Sequence, residues 1–225
     1  MSDSIGNALD NAREFYRRQL ASSFVCSRPF SMPLRFVAED VADTPEFEAV
    51  VRECGFGSFD CARRIGEMAV VHLDRVPTGR PWWRDLLNYE RSCFLQTATT
   101  AEGPPTNRPR RGVSALCITF SWDVPQVVES LKAGQPVSDA LRRPATLLFA
   151  RDEGGNPCVV EVGPDVEKVF RATNGLRLVE AIAATAGASM EQTREILGAL
   201  AGIRAVTLAM SAEEMSRVIA AREKR

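Results

Sequence analysis

Apolar residues in the first half of the chain recur at three- and four-residue intervals, which is the spacing of an amphipathic α-helix. One such stripe runs from Phe47 to Cys54, and it follows Thr44 and Pro45, a pair typical of a helix start. The same periodicity predicts three further helices, over residues 5–20, over residues 59–73 and from residue 81 onward. The pattern therefore predicts a helical N-terminal domain over residues 1–98.

The second half of the chain alternates short β-favouring runs with helical stripes. The β-favouring runs predict strands over residues 113–121, 145–151, 158–162 and 205–209. Cap residues predict helices that begin near Asp123, Pro164, Leu178, Ser189 and Ser211. Turn-forming residues between 152 and 157 predict a β-hairpin ahead of three consecutive short helices. We therefore expect an α+β protein with a small winged-helix-like domain over residues 113–225, joined to the helical domain by a linker over residues 99–112.

The balance of charge and the absence of targeting signals limit the classes of function. The chain carries 28 Lys+Arg and 29 Asp+Glu, a formal net charge of −1, so it lacks the electrostatic footprint of a protein that binds nucleic acid or anionic lipid. The first residues have neither the basic start nor the apolar core of a signal peptide. No apolar run approaches the roughly 18 residues that a membrane span needs. We expect a cytoplasmic protein without a membrane partner.

A single histidine, His72, and six cysteines restrict the chemistry that the chain can perform. A metal site built on imidazole usually needs two or three histidines. Most of the cysteines have apolar neighbours, as structural thiols do, and the phosphate-binding and nucleophile-elbow motifs are missing from the sequence. We therefore predict neither catalytic residues nor metal ligands in this chain, and we interpret it as a binding protein.

Two clusters are candidates for a protein interface. Trp82 and Trp83 are adjacent on a predicted helix and point about 100° apart, so one of them should be partly exposed near Tyr89. The alternative is that both tryptophans lie at a seam between two domains. The second cluster is basic and could meet an acidic partner or phosphate, although such short charged runs are more often solvated linkers; it comprises Arg108, Arg110 and Arg111.

A domain made of a β-hairpin and three helices can bind either DNA or a peptide. The charge of its third helix distinguishes these two functions. A DNA-binding domain would present basic residues on its third helix. Here that helix carries Arg194 between Glu191 and Glu195, so DNA binding is disfavoured. A peptide that adds a strand to the hairpin edge needs no basic surface, because main-chain hydrogen bonds supply the affinity.

The same residues resemble a known family. The run from Thr146 to Leu208 combines the hairpin, a helix ending near Asn174-Gly175, a Leu-x-Glu-Ala helix and a third helix. This order is similar to the precursor-peptide recognition element of peptide natural-product pathways. Upstream, the helix Trp82–Arg91 and the segment Phe120–Pro125 resemble those of MbnC- and TglI-like partner proteins of multinuclear non-haem iron oxidative enzymes.

The resemblance implies a heterodimer with an iron enzyme that oxidises a cysteine of a ribosomal precursor peptide. The iron would belong to the enzyme, while this chain would hold the leader of the peptide and carry no cofactor. The leader would lie against the second hairpin strand and the third helix. The positions that this implies are Cys158, Val159, Val160, Glu161, Val162, Ile196, Leu197 and Leu200. The partner interface is assigned to the two clusters described above.

Two alternatives remain open from the residues. The first is a winged-helix DNA-binding transcriptional regulator, which would need the basic helical face that the sequence lacks. The second is a thiol enzyme using Cys54 or Cys61, in which Arg63 or Arg64 would lower the pKa of the nucleophile.

Overall fold

The computed structural model describes residues 44–54, 59–75, 80–97, 107–152 and 154–208 of the 225. They form a mixed α and β fold, as the sequence predicts. The predicted first helix, over residues 5–20, and the predicted last helix, from Ser211, lie outside the described residues.

The described residues divide between two units. The first draws on Met1–Leu95 and Phe120–Pro144, and the second on Gln96–Thr119 and Ala145–Arg225. The units therefore interleave along the chain, because the segment Phe120–Pro144 follows the predicted linker and yet belongs with the first unit.

Within residues 44–54, 59–75 and 80–97, three helices lie in the places where the apolar stripes predict them. They are α1 (Pro45–Cys54), α2 (Phe59–Arg75) and α3 (Trp83–Thr97). The predicted start of α1 is confirmed, since the backbone N–H of Phe47 donates to Thr44 Oγ1 at 3.3 Å. The apolar stripes of α1 and α2 are buried: they comprise Phe47, Val50, Val51, Cys61, Ile65, Ala69 and Leu73.

The first unit also contains α4 (Val124–Lys132) and a short 3₁₀ helix (Asp139–Leu141). The predicted cap of α4 is confirmed, because Asp123 Oδ1 accepts a hydrogen bond from the backbone N–H of Gln126 at 3.3 Å.

A buried carboxylate at the start of α3 holds the loop that leads into α4. Asp85 Oδ2 accepts hydrogen bonds from the backbone N–H groups of Ser121, at 2.7 Å, and Trp122, at 3.0 Å. Burial raises the pKa of the Asp85 carboxyl, and the two backbone hydrogen bonds oppose this rise only in part. The side chain therefore satisfies two donors far away in sequence, at the energetic cost of a desolvated charge.

This cost predicts a pH dependence of stability. Because the folded chain binds the Asp85 proton more tightly than the unfolded chain does, protonation of Asp85 adds to the free energy of unfolding. This contribution is complete below pH 3.8, the ordinary pKa of the group, and is lost as pH rises through the pKa of the folded chain. An Asp85→Asn variant keeps an acceptor oxygen but does not titrate. We expect the variant to gain stability relative to the native chain as pH rises from about 4 to about 7, measured by urea unfolding. A difference that is flat with pH, or that runs the other way, would contradict this role.

The second unit is built on five short strands. They are β1 (Arg110–Arg111), β2 (Leu116–Phe120), β3 (Ala145–Arg151), β4 (Pro157–Glu161) and β5 (Val206–Thr207). One sheet has the order β2-β3-β4, with β3 and β4 antiparallel, and β1 pairs with β5 in a second, two-stranded sheet. The strand β3 is thus central, and its residues Ala145 and Leu147–Ala150 are buried on both faces.

Between the hairpin and residue 208, the structure describes three helices: α5 (Pro164–Ala172), α6 (Val179–Ala186) and α7 (Met190–Gly202). The predicted stop of α6 is confirmed by Gly187, whose φ of 67° places it in the left-handed region. Ser189 caps α7 by accepting from the backbone N–H of Gln192 at 3.1 Å. The three helices enclose one face of the sheet in a core of buried residues: Leu148, Ala150, Val169, Phe170, Ala172, Ile182, Ala186, Leu197, Leu200, Ala205 and Val206.

Candidate functional site

The hairpin strand β4 lies at the edge of the three-stranded sheet within the part of the chain that the structure describes. Its register is defined by pairs such as Phe149 opposite Val159 and Leu148 opposite Val160. One residue after β4, the N–H of Val162 donates to the backbone oxygen of Thr146 in β3 at 2.9 Å, so Thr146 and Val162 form a hydrogen-bonded pair. Bonded and non-bonded pairs alternate in an antiparallel ladder, so Val160 is bonded to β3 and Val159 is not.

The N–H and C=O of Val159 therefore point away from β3, toward the outer edge of the sheet. Within the described residues, no hydrogen bond is found for the N–H or the C=O of Val159. Pro157, at the start of the strand, has no N–H to offer. The outer edge thus presents a donor and an acceptor at Val159, which is what an added β-strand requires.

The side chains of β4 give this edge a mixed character. Cys158, Val159 and Val162 are half-buried, and Val162 packs against the helical core. Val160 keeps 38% of its surface exposed, and Glu161 is also exposed. The edge therefore offers both backbone groups and an exposed apolar side chain.

The candidates on α7 are placed differently from those on β4. Ile196 is half-buried and packs against the same core as Val162. Leu197 and Leu200 are 2% exposed and belong to that core, so in this structure they offer no surface to a ligand. Their burial follows from the helical period, which turns both residues toward Leu148 and its neighbours.

The hairpin turn is held by side-chain hydrogen bonds to Asp152. The backbone N–H of Asn156 donates to Asp152 Oδ1 at 2.8 Å, and the Asn156 amide donates to Oδ2 at 3.1 Å. These bonds hold the pKa of the Asp152 carboxyl below its usual value. Gly155, at φ 80°, occupies the left-handed position of the turn. The turn therefore orders the start of β4.

One tryptophan of the aromatic cluster is partly exposed, as expected, although Trp82 lies in the turn before α3 and not on the helix. Trp83 is 7% exposed, whereas Trp82 is half-buried, and the two ring centroids are 6.3 Å apart in an edge-to-face arrangement. The guanidinium of Arg80 lies 5.0 Å from the ring centroid of Trp83. Tyr89, also half-buried, packs edge-to-face on Phe120. Trp82 and Tyr89 are thus the members of the cluster that retain accessible surface.

The predicted arginine cluster is ordered by contacts within the second unit. Arg110 and Arg111 form β1, opposite Thr207 and Val206 of β5. The guanidinium of Arg111 lies 5.8 Å from the ring centroid of Phe170, and Arg108 donates a hydrogen bond to the backbone oxygen of Leu176. The sequence predicts that this run is part of a linker. Its pairing with β5 has no signal in the sequence, because a two-residue Arg-Arg strand shows no alternation of apolar and polar residues.

The histidine and the cysteines of the alternative thiol site lie in the first unit. Arg64 Nη1 lies 3.1 Å from Cys54 Sγ and 2.8 Å from Glu53 Oε2, so its charge is shared with a carboxylate. Cys61 is fully buried, and its thiol lies 3.9 Å from the backbone oxygen of Val50. His72, on the last turn of α2, lines a surface groove together with Arg64.

In the second unit, burial raises the pKa of the Cys117 thiol to about 11. At neutral pH its thiolate fraction is about a hundredfold smaller than that of a thiol with the ordinary value of 9.0. We expect Cys117 to react with iodoacetamide at least about a hundredfold more slowly in the folded chain than in urea, and Cys61 to be protected by burial. Peptide mass mapping of the alkylated chain measures both rates. Rapid labelling of Cys117 in the folded chain would contradict its burial.

The chain matches no known protein-family model, and no curated protein matches it significantly. Among the described residues, no group of three or more His, Cys, Asp or Glu side chains is placed to hold a metal ion. Nor is any helix in those ranges both long and apolar enough to cross a membrane.

Proposed function

We propose that this chain is a non-catalytic partner subunit that binds the leader of a ribosomal precursor peptide. It presents a cysteine of that peptide to a multinuclear non-haem iron oxidative enzyme, with which it forms a cytoplasmic heterodimer. The observation that carries the proposal is the outer edge of β4, where the backbone of Val159 points outward beside the exposed side chain of Val160.

The binding mode is the addition of a strand to the sheet. The leader pairs with β4, accepts from the N–H of Val159 and donates to its C=O. Because these contacts use the main chain, they tolerate variation in the leader sequence. The side chain of Val160 supplies an apolar contact on the face that also carries Leu148. In this mode the hairpin β3–β4 and the helices α5–α7 act as a winged-helix-like recognition domain.

The charges on α7 favour a peptide over DNA as the ligand. Arg194 is exposed on this helix, but so are Glu191 and Glu195, which leaves the surface without the positive potential that a duplex requires. A strand added to β4 needs no such potential.

The division of labour follows from the chemistry that each subunit holds. The enzyme supplies the iron and the oxidation, while this chain supplies affinity for the leader. Tethering the leader raises the effective concentration of the core cysteine at the active site of the enzyme. A subunit of this kind needs no metal ligands or nucleophile of its own.

Co-expression tests the proposal as a whole. This chain is produced with a candidate iron enzyme and the precursor peptide encoded near it, and the purified material is examined by mass spectrometry. We expect the three components to co-purify and the peptide to be modified only when this chain is present. Purification of this chain alone, with normal modification of the peptide in its absence, would contradict the proposal.

A proline on the sheet edge tests the binding mode. In a Val159→Pro variant the outward N–H is removed, but the ladder to β3 stays intact, because Val159 does not bond to that strand. We expect the dissociation constant for the leader to rise about tenfold or more, measured by fluorescence anisotropy, with the thermal midpoint little changed.

The matched control is Val159→Thr, which keeps the backbone N–H and a β-branched side chain of similar shape. It should bind the leader nearly as well as the native chain. Equal loss of leader binding in the proline and threonine variants would assign that loss to the side chain of Val159 and would contradict strand addition.

A further inference from the structure

A second concave surface of the recognition domain lies outside the β4 edge. We call it the arginine pocket, and its volume is about 500 Å³. Its lining comprises Arg110, Arg111, Gly112, Val113, Ala115, Asn174 and Gly175. It is formed by β1, the loop after β1 and the loop that joins α5 to α6.

Backbone contacts hold the two loops of the arginine pocket together. The N–H of Gly175 donates to Pro109 O at 3.0 Å, and the N–H of Gly112 donates to Ala205 O at 2.8 Å. A Cβ at Gly112 would lie 2.6 Å from the backbone oxygen of Arg204, so only glycine fits this close approach. Gly112 and Gly175 therefore contribute backbone to the lining of the pocket without projecting side chains.

The charge of the arginine pocket is positive and uncompensated. Its lining contains two arginines and no acidic residue. Within the described residues, neither Arg110 nor Arg111 forms an ion pair with a carboxylate. Arginine is suited to bidentate hydrogen bonding with carboxylates, so the positive charge of this surface favours an acidic ligand.

Apolar side chains stand beside this charge. Val113 lines the pocket and is 65% exposed, and Leu176, next to Gly175, is 71% exposed. Exposed apolar residues beside arginines are typical of surfaces that bind polypeptides, since the apolar groups supply burial and the arginines supply direction. A phosphate backbone would use the arginines but would gain little from Val113 and Leu176.

We propose that the arginine pocket binds a linear peptide segment in which carboxylate side chains flank apolar ones. The carboxylates pair with Arg110 and Arg111, and the apolar side chains cover Val113 and Leu176. A volume of about 500 Å³ accommodates a few side chains of an extended segment. The inference rests on the proposed function in one respect, since it takes the precursor peptide as the natural source of this segment.

The probe is a fluorescein-labelled synthetic heptapeptide in which glutamates flank leucines, and its control is the same peptide with lysines in place of the glutamates. Each is titrated into the full chain and followed by anisotropy and by amide NMR. We expect the acidic peptide alone to bind and to shift the amides of Gly112, Val113 and Gly175. Its affinity should fall as salt is raised, because charge pairs at the surface are screened.

Charge reversal at the pocket is the decisive change. The Arg110→Glu plus Arg111→Glu variant should weaken the acidic peptide about tenfold or more. The matched control reverses two exposed arginines elsewhere, Arg142→Glu plus Arg194→Glu, and should leave the affinity nearly unchanged. An Arg110→Gln plus Arg111→Gln variant removes the positive charge without reversing it, so it tests the same contacts if the reversed pair disturbs β1.

The remaining outcomes overturn the inference or separate it from the proposed function. Equal binding of the acidic and lysine peptides, equal binding to the native and the doubly reversed chain, or tighter binding of a single-stranded oligonucleotide at the pocket would overturn it. Acidic-peptide binding at the pocket, in a chain that captures neither precursor nor enzyme on co-expression, would support the pocket and count against the proposed function alone.

Discussion

The antiparallel register between β3 and β4 is the constraint on which the fold of the second unit depends. It places Leu148 opposite Val160 and Phe149 opposite Val159. A slip of one residue would turn the buried side chains of β3 to the opposite faces of the sheet. Because β3 is buried on both faces, such a slip would break the core as well as the edge. The register that stabilises the domain is therefore the one that directs the backbone of Val159 outward.

In the two proposed binding modes, the edge of β4 and the arginine pocket hold a peptide by different interactions. At the edge, main-chain hydrogen bonds supply affinity with little dependence on sequence or salt. At the pocket, guanidinium groups supply selectivity for carboxylates, and that selectivity weakens as ionic strength rises. Both surfaces are held by backbone contacts of the second unit, at the β3–β4 ladder and between Gly112 and Ala205.

Much of the local structure could be predicted from the sequence, because local patterns determine it. The bounds of β3, the caps at Asp123 and Ser189 and the stop at Gly187 all follow from residues within a few positions of each feature. The unequal burial of Trp82 and Trp83 agrees with the expectation that one of the two is partly exposed, although Trp82 lies in the turn just before α3.

The features that escaped prediction are contacts between distant parts of the chain. The pairing of Arg111 with Val206 joins residues far apart in sequence, and so does the hydrogen bond from Ser121 to Asp85. The helical period predicts that Leu197 and Leu200 are buried, and the structure places both in the core. The family resemblance alone implies that they also line a peptide groove. The arginine pocket likewise contains Gly112, whose backbone lies close to the backbone oxygen of Arg204, and no local pattern in the sequence signals this contact.

Amide hydrogen exchange at Val159 and Val160 tests whether the leader adds a strand to the edge of β4. The N–H of Val160 is bonded to β3 whether or not a peptide is present, whereas the N–H of Val159 gains a partner only when a strand is added to the edge. We predict that the precursor leader slows exchange at Val159 by about tenfold or more and leaves exchange at Val160 nearly unchanged. Saturating leader that leaves exchange at Val159 unaltered would contradict it.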